Sequence, residues 1–245
     1  MKKLIVVLFI LLVLLMLVGR LPIRTGDVTK QTVYLSLLNC FHIKDRNAEA
    51  LMMLIDDDGG DGIFRIKQIC DRVGCKATFA VVPAWLDPVR CDSLRRWQSE
   101  GHGIAVHGYN HGRWKDFSYE EVVDDIKTCL ESLKDKGFFI DRIHIVVSPG
   151  FNNTRAIRNA VKDMGFKMVC GANIVNPDTT AFQWGRLFVK KSTDMEKTHE
   201  MLLRAKENND FIVLGTHSSM PEEFSPEKTE EILRMGKEMG FRFIN

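Results

Sequence analysis

The sequence lacks a strong net charge. Its 34 Lys and Arg residues are nearly balanced by 32 Asp and Glu residues, which gives a formal net charge of +2 over 245 residues. Because domains that bind nucleic acids carry a concentrated basic surface, we expect no nucleic-acid partner. With 45% hydrophobic residues, the composition also excludes disordered and collagen-like chains. The length fits one large domain or two small ones.

Closely paired cysteines are also missing. The sequence has six cysteines, and none of them lies in the C-x-x-C pattern that structural zinc sites commonly use. An even number permits disulfides in an exported protein, and Cys70 and Cys75 flank a predicted helix end where they could bridge. The alternative is that several cysteines are small buried hydrophobic residues.

The N-terminal segment has no acidic residue and one long apolar run. Residues 1–25 contain four basic residues, and residues 4–18 are 15 consecutive apolar positions behind two lysines. This order predicts an export signal, although a membrane-spanning helix usually needs about 20 apolar residues. Because no small-x-small cleavage site follows, an uncleaved membrane anchor is the alternative. We therefore expect an exported or membrane-anchored protein of the cell envelope, with residues 26–47 as a linker or N-terminal extension.

From residue 48 the chain alternates between two periodicities. Short apolar runs predict buried parallel strands at 48–55, 77–82, 103–106, 143–147, 167–170, 187–189 and 211–214. Helical spacing predicts helices at 63–73, 87–100, 118–133, 153–164, 195–203 and 226–239. A further strand is predicted at 32–38, before this series, and the pairs Ser118/Glu121 and Thr193/Glu196 predict capping boxes. About seven β/α units over residues 48–245 predict an α/β fold, a distorted seven-stranded (β/α) barrel of the TIM-like kind.

Residues with catalytic chemistry follow the predicted strands at their carboxyl ends. Three aspartates at 56–58 follow the first strand of the series, His107 and His111 follow the third, and His217 follows the strand at 211–214. A (β/α) barrel carries its active site at the carboxyl ends of its strands, so we expect these side chains to meet there.

The histidines and aspartates together predict a metal site. His107 and His111 form an H-x-x-x-H pattern, which on one helical turn directs two imidazoles at one ion. Three adjacent carboxylates repel one another unless a cation or proton compensates. Two His and one Asp are a plausible catalytic zinc set, but spacing does not say which Asp is the ligand. The alternatives are a solvated acidic turn and two surface histidines.

At these residues the sequence resembles the polysaccharide deacetylase family, the NodB-homology domain of carbohydrate esterase family 4. The family motifs T-F-D-D-G, H-[ST]-x-x-H, R-x-P-x-G and L-x-H are similar to residues 55–59, 107–111, 147–151 and 215–217. The resemblance covers residues 48–245. It implies a metal-dependent hydrolase that removes acetyl groups from an N- or O-acetylated polysaccharide or cell-wall sugar.

The resemblance also implies roles for individual residues. Asp57 is then the general base and His217 the general acid. Asp58, His107 and His111 hold a divalent metal, with Zn²⁺ as the default. The segment Pro149, Gly150 and Phe151 binds the substrate, and the backbone N–H groups near Gly150 and Phe151 help to bind the oxyanion.

The sequence departs from the family pattern in three places. Val147 stands where the family has an Arg that pairs with the base, and Gly108 replaces a Ser or Thr. The D-x-x-D-W motif is missing, with residues 182–186 roughly in its place. From that segment we hypothesise that Arg186 supplies the missing guanidinium and that Trp184 stacks on a sugar, with core packing as the alternative for Trp184.

Three alternatives follow from these departures. The pair of aspartates could be Asp56 and Asp57 instead of Asp57 and Asp58. The protein could be a catalytically impaired carbohydrate-binding protein that retains the deacetylase fold. It could also be a metal-dependent hydrolase of a different amide or ester.

Overall fold

The computed structural model describes residues 28–45 and 48–245. The predicted leader at 1–25 lies outside the described residues. Among the described residues, no helix combines the length and the apolar character needed to cross a membrane.

The described chain alternates strands and helices. The helices are α1 (Val28–Cys40), α2 (Ile63–Val73), α3 (Pro88–Ser99), α4 (Tyr119–Asp135), α5 (Arg155–Asp163), α6 (Met195–Glu207) and α7 (Pro226–Glu238). The strands are β1 (Leu51–Asp56), β2 (Thr78–Val81), β3 (Gly103–Val106), β4 (Ile145–Val147), β5 (Lys167–Val169), β6 (Gln183–Trp184), β7 (Leu187–Phe188), β8 (Phe211–Thr216) and β9 (Arg242–Phe243).

All the strand pairs of the sheet are parallel, and the sheet curls into a distorted barrel. The strand order is β6-β5-β4-β3-β2-β1-β8-β7, with β9 pairing to the start of β1. The two end strands, β6 and β7, are joined in the chain by Gly185 and Arg186 alone, so the two edges of the sheet are held close together. This arrangement confirms the predicted (β/α) barrel, with eight strands along the described path where about seven were expected.

The strands are buried on both faces, which explains their uninterrupted apolar sequence. Along β1, Leu51, Met53 and Ile55 face the barrel interior, where Phe211 and Val213 of β8 join the same cluster. The alternate residues Met52 and Leu54 face outward and pack in a second, larger cluster with the helices. One strand therefore contributes side chains to two hydrophobic layers, and this packing fixes the position of its carboxyl end in the barrel.

Helix ends follow the sequence signals in most cases. Helix α4 begins with the predicted capping box, in which the Ser118 hydroxyl accepts from the Glu121 N–H and the Glu121 carboxylate accepts from the Ser118 N–H. The second predicted box is wrong. Asp194 caps α6 by accepting from the N–H of Lys197 at 3.2 Å, while the Thr193 hydroxyl accepts from the Lys190 N–H instead.

The predicted strand at 32–38 is wrong, because these residues belong to helix α1. The alternating, β-branched sequence favoured a strand, but no neighbouring strand pairs with the segment in the described chain. Instead Gln31 and Leu35, one helical turn apart, are 0% and 1% exposed against the barrel. Residues 28–40 of the predicted linker or N-terminal extension are therefore helical.

Candidate active site

The residues predicted to bind metal or to transfer protons lie together at the carboxyl ends of the strands. The loop after β1 contributes Asp57 and Asp58, the loop after β3 contributes His107 and His111, and the loop after β8 contributes His217. A cavity of about 560 Å³ opens at this end, and Asp58, His111 and His217 are among the residues that line it. Parallel strands bring these loops together because all of them end at the same rim.

Asp58, His107 and His111 form a compact cluster of metal-ligand type. One ligand atom from each residue lies within 4.8 Å of the others. Asp58 Oδ1 is 3.3 Å from Nε2 of His107 and 3.8 Å from Nε2 of His111. The Nδ1–H of His107 donates to the carbonyl of Val147 at 2.7 Å, which directs Nε2 at Asp58. That Nε2 is buried without a hydrogen-bond partner, as expected of an atom that binds a cation.

The H-x-x-x-H segment is a loop and not a helical turn. Gly108 and His111 both have a positive φ, of 75° and 57°. A Cβ at position 108 would lie 2.9 Å from Cγ of Pro149, so glycine is required where the family has Ser or Thr. The carboxylate of Asp125 on α4 holds the loop by accepting from the Tyr109 N–H and the Trp114 indole N–H. Sequence reasoning missed Asp125, which carried no motif.

Asp58 is held as an anion. Burial raises the pKa of its carboxyl, but the facing imidazoles of His107 and His111 outweigh this and lower it to about 2. The other oxygen, Oδ2, accepts from the Ser219 hydroxyl at 3.1 Å. Asp58 has a φ of 77°, an uncommon conformation for a residue other than glycine.

Asp57 forms a fully buried ion pair with Arg186. Both side chains are 0% exposed, and Nη1 and Nη2 of Arg186 donate to Oδ1 and Oδ2 of Asp57, each at 2.7 Å. Burial raises the pKa of Asp57, but the guanidinium outweighs it and the pKa is lowered. The hypothesis that Arg186 supplies the missing guanidinium is confirmed by this contact. Gly215 leaves room for it, because a Cβ there would lie 2.9 Å from Cδ of Arg186.

His217 lies between the ion pair and the cavity. Its Nε2 is 3.2 Å from Oδ2 of Asp57, and its ring stacks on Phe188 with centroids 5.4 Å apart and planes at 8°. Burial lowers the pKa of His217, and the Arg186 charge lowers it further against the opposing effect of Asp57. His217 is therefore predominantly neutral near neutral pH.

Asp56 is turned away from the metal-type cluster. Its carboxylate accepts from the hydroxyls of Thr216 and Ser218 at 2.7 and 2.6 Å and from the N–H of Ser218. Burial raises its pKa to about 7. These bonds fix the loop on either side of His217. The structure thus places Asp57 and Asp58 toward the histidines, and not the alternative pair Asp56 and Asp57.

The segment Pro149–Phe151 forms a tight turn beside the cavity. Gly150 and Phe151 line the cavity, and their φ angles are 60° and 54°. Pro149 is buried behind them. The N–H of Phe151 donates to the Ser148 carbonyl at 3.1 Å, so this predicted oxyanion donor is already engaged. Of the two predicted oxyanion donors, the N–H of Gly150 is the one that remains.

Trp184 does not line the cavity, and the hypothesis that it stacks on a sugar is wrong. It is 5% exposed and packs edge-on against Phe211 in the barrel interior, because strand alternation in β6 directs its side chain inward. An exposed aromatic residue at the cavity is Trp85, which is 45% exposed and stacks on His111 at 5.3 Å. Its position directly after β2 was the signal that sequence reasoning overlooked.

The comparisons with known proteins identify the family of the chain. The family model described as polysaccharide deacetylase matches residues 44–169. The chain belongs to the polysaccharide deacetylase family. No curated protein sequence matches it.

Solved structures of this family share the fold. A family 4 acetyl xylan esterase from Clostridium thermocellum, in complex with a cobalt ion, is 20% identical with a TM-score of 0.59, over 79% of this chain and 87% of that one. The catalytic domain of a peptidoglycan N-acetylglucosamine deacetylase from Eubacterium rectale is 19% identical, with a TM-score of 0.55 over 83% and 91%. BA3943, a pseudoenzyme of the family from Bacillus anthracis, is 15% identical, with a TM-score of 0.55 over 80% and 63%.

Proposed function

We propose that this polysaccharide deacetylase family member is an active, metal-dependent hydrolase of acetyl groups on an N- or O-acetylated saccharide. The observation that carries the proposal is that the cluster of Asp58, His107 and His111 and the Asp57–His217 pair meet at one cavity. The acetyl xylan esterase and the N-acetylglucosamine deacetylase that share the fold act on acetylated sugars by name, which supports this substrate class.

The three clustered residues suit a divalent cation. One carboxylate oxygen and two imidazole nitrogens are a donor set that zinc accepts, and Nε2 of His107 is buried and without a partner. We therefore propose Zn²⁺ as the metal, held by Asp58, His107 and His111. When bound, the cation supplies positive charge that polarises an acetyl carbonyl and favours deprotonation of water.

Asp57 is suited to the role of general base. The Arg186 guanidinium keeps the pKa of Asp57 low despite complete burial, and it fixes both carboxylate oxygens in place. The carboxylate is thus ionised and oriented before substrate arrives, so it can accept a proton from water at Oδ2.

His217 is suited to act as the general acid toward the leaving amine or alcohol once it has gained a proton. The proton that Asp57 takes from water passes from Oδ2 to the unprotonated Nε2 of neutral His217, 3.2 Å away, which gives an imidazolium. The imidazolium then donates this proton to the leaving group, so that Asp57 is again a carboxylate and His217 is again neutral. The N–H of Gly150, at the cavity wall, is the proposed donor to the oxyanion.

Trp85 is the proposed platform for the sugar ring. It is exposed at the cavity and stacks on His111, so a saccharide lying on its free face is held beside the metal-type cluster. The leader predicted over residues 1–25 supports a place in the cell envelope, exported or anchored to the membrane, where a cell-wall saccharide is accessible.

Metal content and acetate release, measured together, test the proposal. The full chain is assayed on acetylated xylan, chitooligosaccharides and peptidoglycan, before and after chelation. We expect one divalent ion per chain, loss of activity on chelation and recovery with Zn²⁺. Asp58→Ala should lose metal and acetate release together, while Asp61→Ala, whose side chain is 95% exposed in the same loop, should lose neither. Full activity of metal-free protein would contradict the proposal.

A second candidate is a carbohydrate-binding protein without catalysis. Val147 and the missing D-x-x-D-W motif favour it, and BA3943 shows that the fold occurs in a pseudoenzyme. Saccharide binding with no acetate release at any metal loading would support this candidate over the first.

A further inference from the structure

Helix α1 precedes the barrel and the segment that matches the family, yet it packs against the cavity wall. The family match begins at residue 44, after α1 has ended. Gln31 and Leu35 form the buried face of the helix, at 0% and 1% exposure. After α1, the chain is also tied to the barrel domain by His42, whose Nε2 lies 3.0 Å from Oδ1 of Asp178.

The buried amide of Gln31 bridges two loops. Its Nε2 donates to the carbonyl of Phe151 at 2.6 Å, and its Oε1 accepts from the N–H of Gly171 at 3.1 Å. Phe151 lies in the loop after β4, and Gly171 lies in the loop after β5. A fully buried amide that satisfies one donor and one acceptor fixes the distance between these loops.

Phe151 is the residue on which this bridge acts. It has a φ of 54°, a conformation that costs free energy for a bulky residue and therefore needs support from its surroundings. A Cβ at position 171 would lie 2.8 Å from Cβ of Phe151, so the Phe151 side chain packs directly against the backbone of Gly171. Gln31 and Gly171 thus hold Phe151 from two sides.

The ring of Phe151 contacts the groups that act on protons at the site. It packs edge-on against His217, with centroids 5.5 Å apart, and against Phe188, at 5.0 Å. The Arg186 guanidinium, which holds Asp57, lies 4.6 Å from its centroid. A displacement of Phe151 therefore disturbs the packing of His217 and of Arg186 at the same time.

We propose that Gln31 is a positioning residue for catalysis and that α1 is a strap that holds the Phe151 wall of the active site. The kinetic part of this inference rests on the proposed deacetylase function. We expect metal binding not to depend on the bridge. Asp58, His107 and His111 follow β1 and β3, and they contact one another, Val147, Ser219 and Trp85. The Gln31 amide bonds to Phe151 and Gly171 instead.

Gln31→Met in the full chain removes the bridge at similar side-chain volume. Gly171→Ala is an independent second variant, because the added Cβ displaces Phe151 while every side chain of α1 is unchanged. Asn39→Ala is the matched control. Asn39 is on the same helix and donates to the carbonyl of Val175 at 3.5 Å, away from Phe151. For each variant kcat, KM, bound Zn²⁺ per folded chain, thermal unfolding and hydrogen exchange at Gly171 are measured.

We expect Gln31→Met and Gly171→Ala to lower kcat about 10- to 100-fold, the range for a small misplacement of catalytic groups. Bound zinc per folded chain stays unchanged, and Gly171 N–H exchange is faster in Gln31→Met. Asn39→Ala keeps kcat within about twofold of wild type. If Gln31→Met does not fold, Gly171→Ala alone decides the kinetics.

The inference is overturned if kcat is retained in the folded variants, if Gly171 exchange is unchanged in Gln31→Met, or if Asn39→Ala loses as much activity. If the wild-type chain releases no acetate from any substrate, the proposed function fails. The exchange measurement still decides whether Gln31 holds the two loops.

Discussion

Replacing Arg186 by Met removes the cation that pairs with Asp57. Both side chains are fully buried and two hydrogen bonds of 2.7 Å join them. Removing one partner of a buried ion pair leaves an uncompensated charge and costs about 3–5 kcal/mol of the free energy of unfolding. For a chain of this size, that cost corresponds to a fall in Tm on the order of 10 °C.

The same substitution should also remove the base. Without Arg186, burial is left as the largest influence on the Asp57 carboxyl and raises its pKa, so the group is less readily ionised and has lost the partner that orients it. Loss of general-base catalysis lowers kcat by about 100-fold or more. Acetate release and thermal unfolding are measured side by side, at a temperature where the variant is folded.

Arg72→Met is the matched control for this experiment. Arg72 pairs with Glu230 at 2.6 Å on the surface, with the arginine side chain 49% exposed. Surface ion pairs contribute about 0–1 kcal/mol, so this variant should keep both its Tm and its activity. If Arg186→Met retained wild-type kcat, or lost no more stability than Arg72→Met, the account of the Asp57–Arg186 pair would be refuted.

Three further outcomes are expected. Trp85→Ala removes the exposed ring beside His111 and should raise KM about tenfold at unchanged zinc content, whereas a similar rise in Trp184→Phe would contradict this assignment. Burial lowers the pKa of His102 to about 4, so its unfolded form takes up a proton first, and stability should be full above about pH 6.5 and fall as the pH drops toward 4. Chemical denaturation across this range should show a flatter pH dependence in His102→Gln, and an unchanged dependence would be inconsistent with the assignment. Gly62→Ala makes a Cβ clash with the Ser218 carbonyl oxygen, so it should cost about 1–3 kcal/mol of unfolding free energy and lower activity through the loop that carries His217.

Periodicity predicted much of the barrel because the strands are buried on both faces. Their apolar runs are continuous, and the intervening helices carry one apolar stripe, so the order of elements is visible along the chain. The parallel arrangement then brings the segments after β1, β3 and β8 to one rim. That geometric rule is why His107 and His217 could be placed near the aspartates without coordinates.

Contacts between distant segments were beyond sequence reasoning. The Arg186–Asp57 pair was a hypothesis only, because it depends on the two-residue link between the end strands β6 and β7, which places the guanidinium inside the barrel. The role of Gln31 carried no signal, since it depends on α1 packing across two loops more than 100 residues away in the chain. Trp184 was misjudged because one residue of strand register decides whether an aromatic ring faces the barrel interior or the cavity. Trp85 was overlooked because it lies in the turn after β2 and belongs to no motif.

The proposed deacetylase activity depends on one cation held by Asp58, His107 and His111. The most direct test is to titrate metal-free full-length protein with Zn²⁺ while acetate release from an acetylated saccharide is followed. We predict that activity rises linearly and saturates at one ion per chain, with no rise in Asp58→Ala. Equal activity before and after zinc addition, or zinc binding with no acetate release from any acetylated saccharide, would contradict the proposed function.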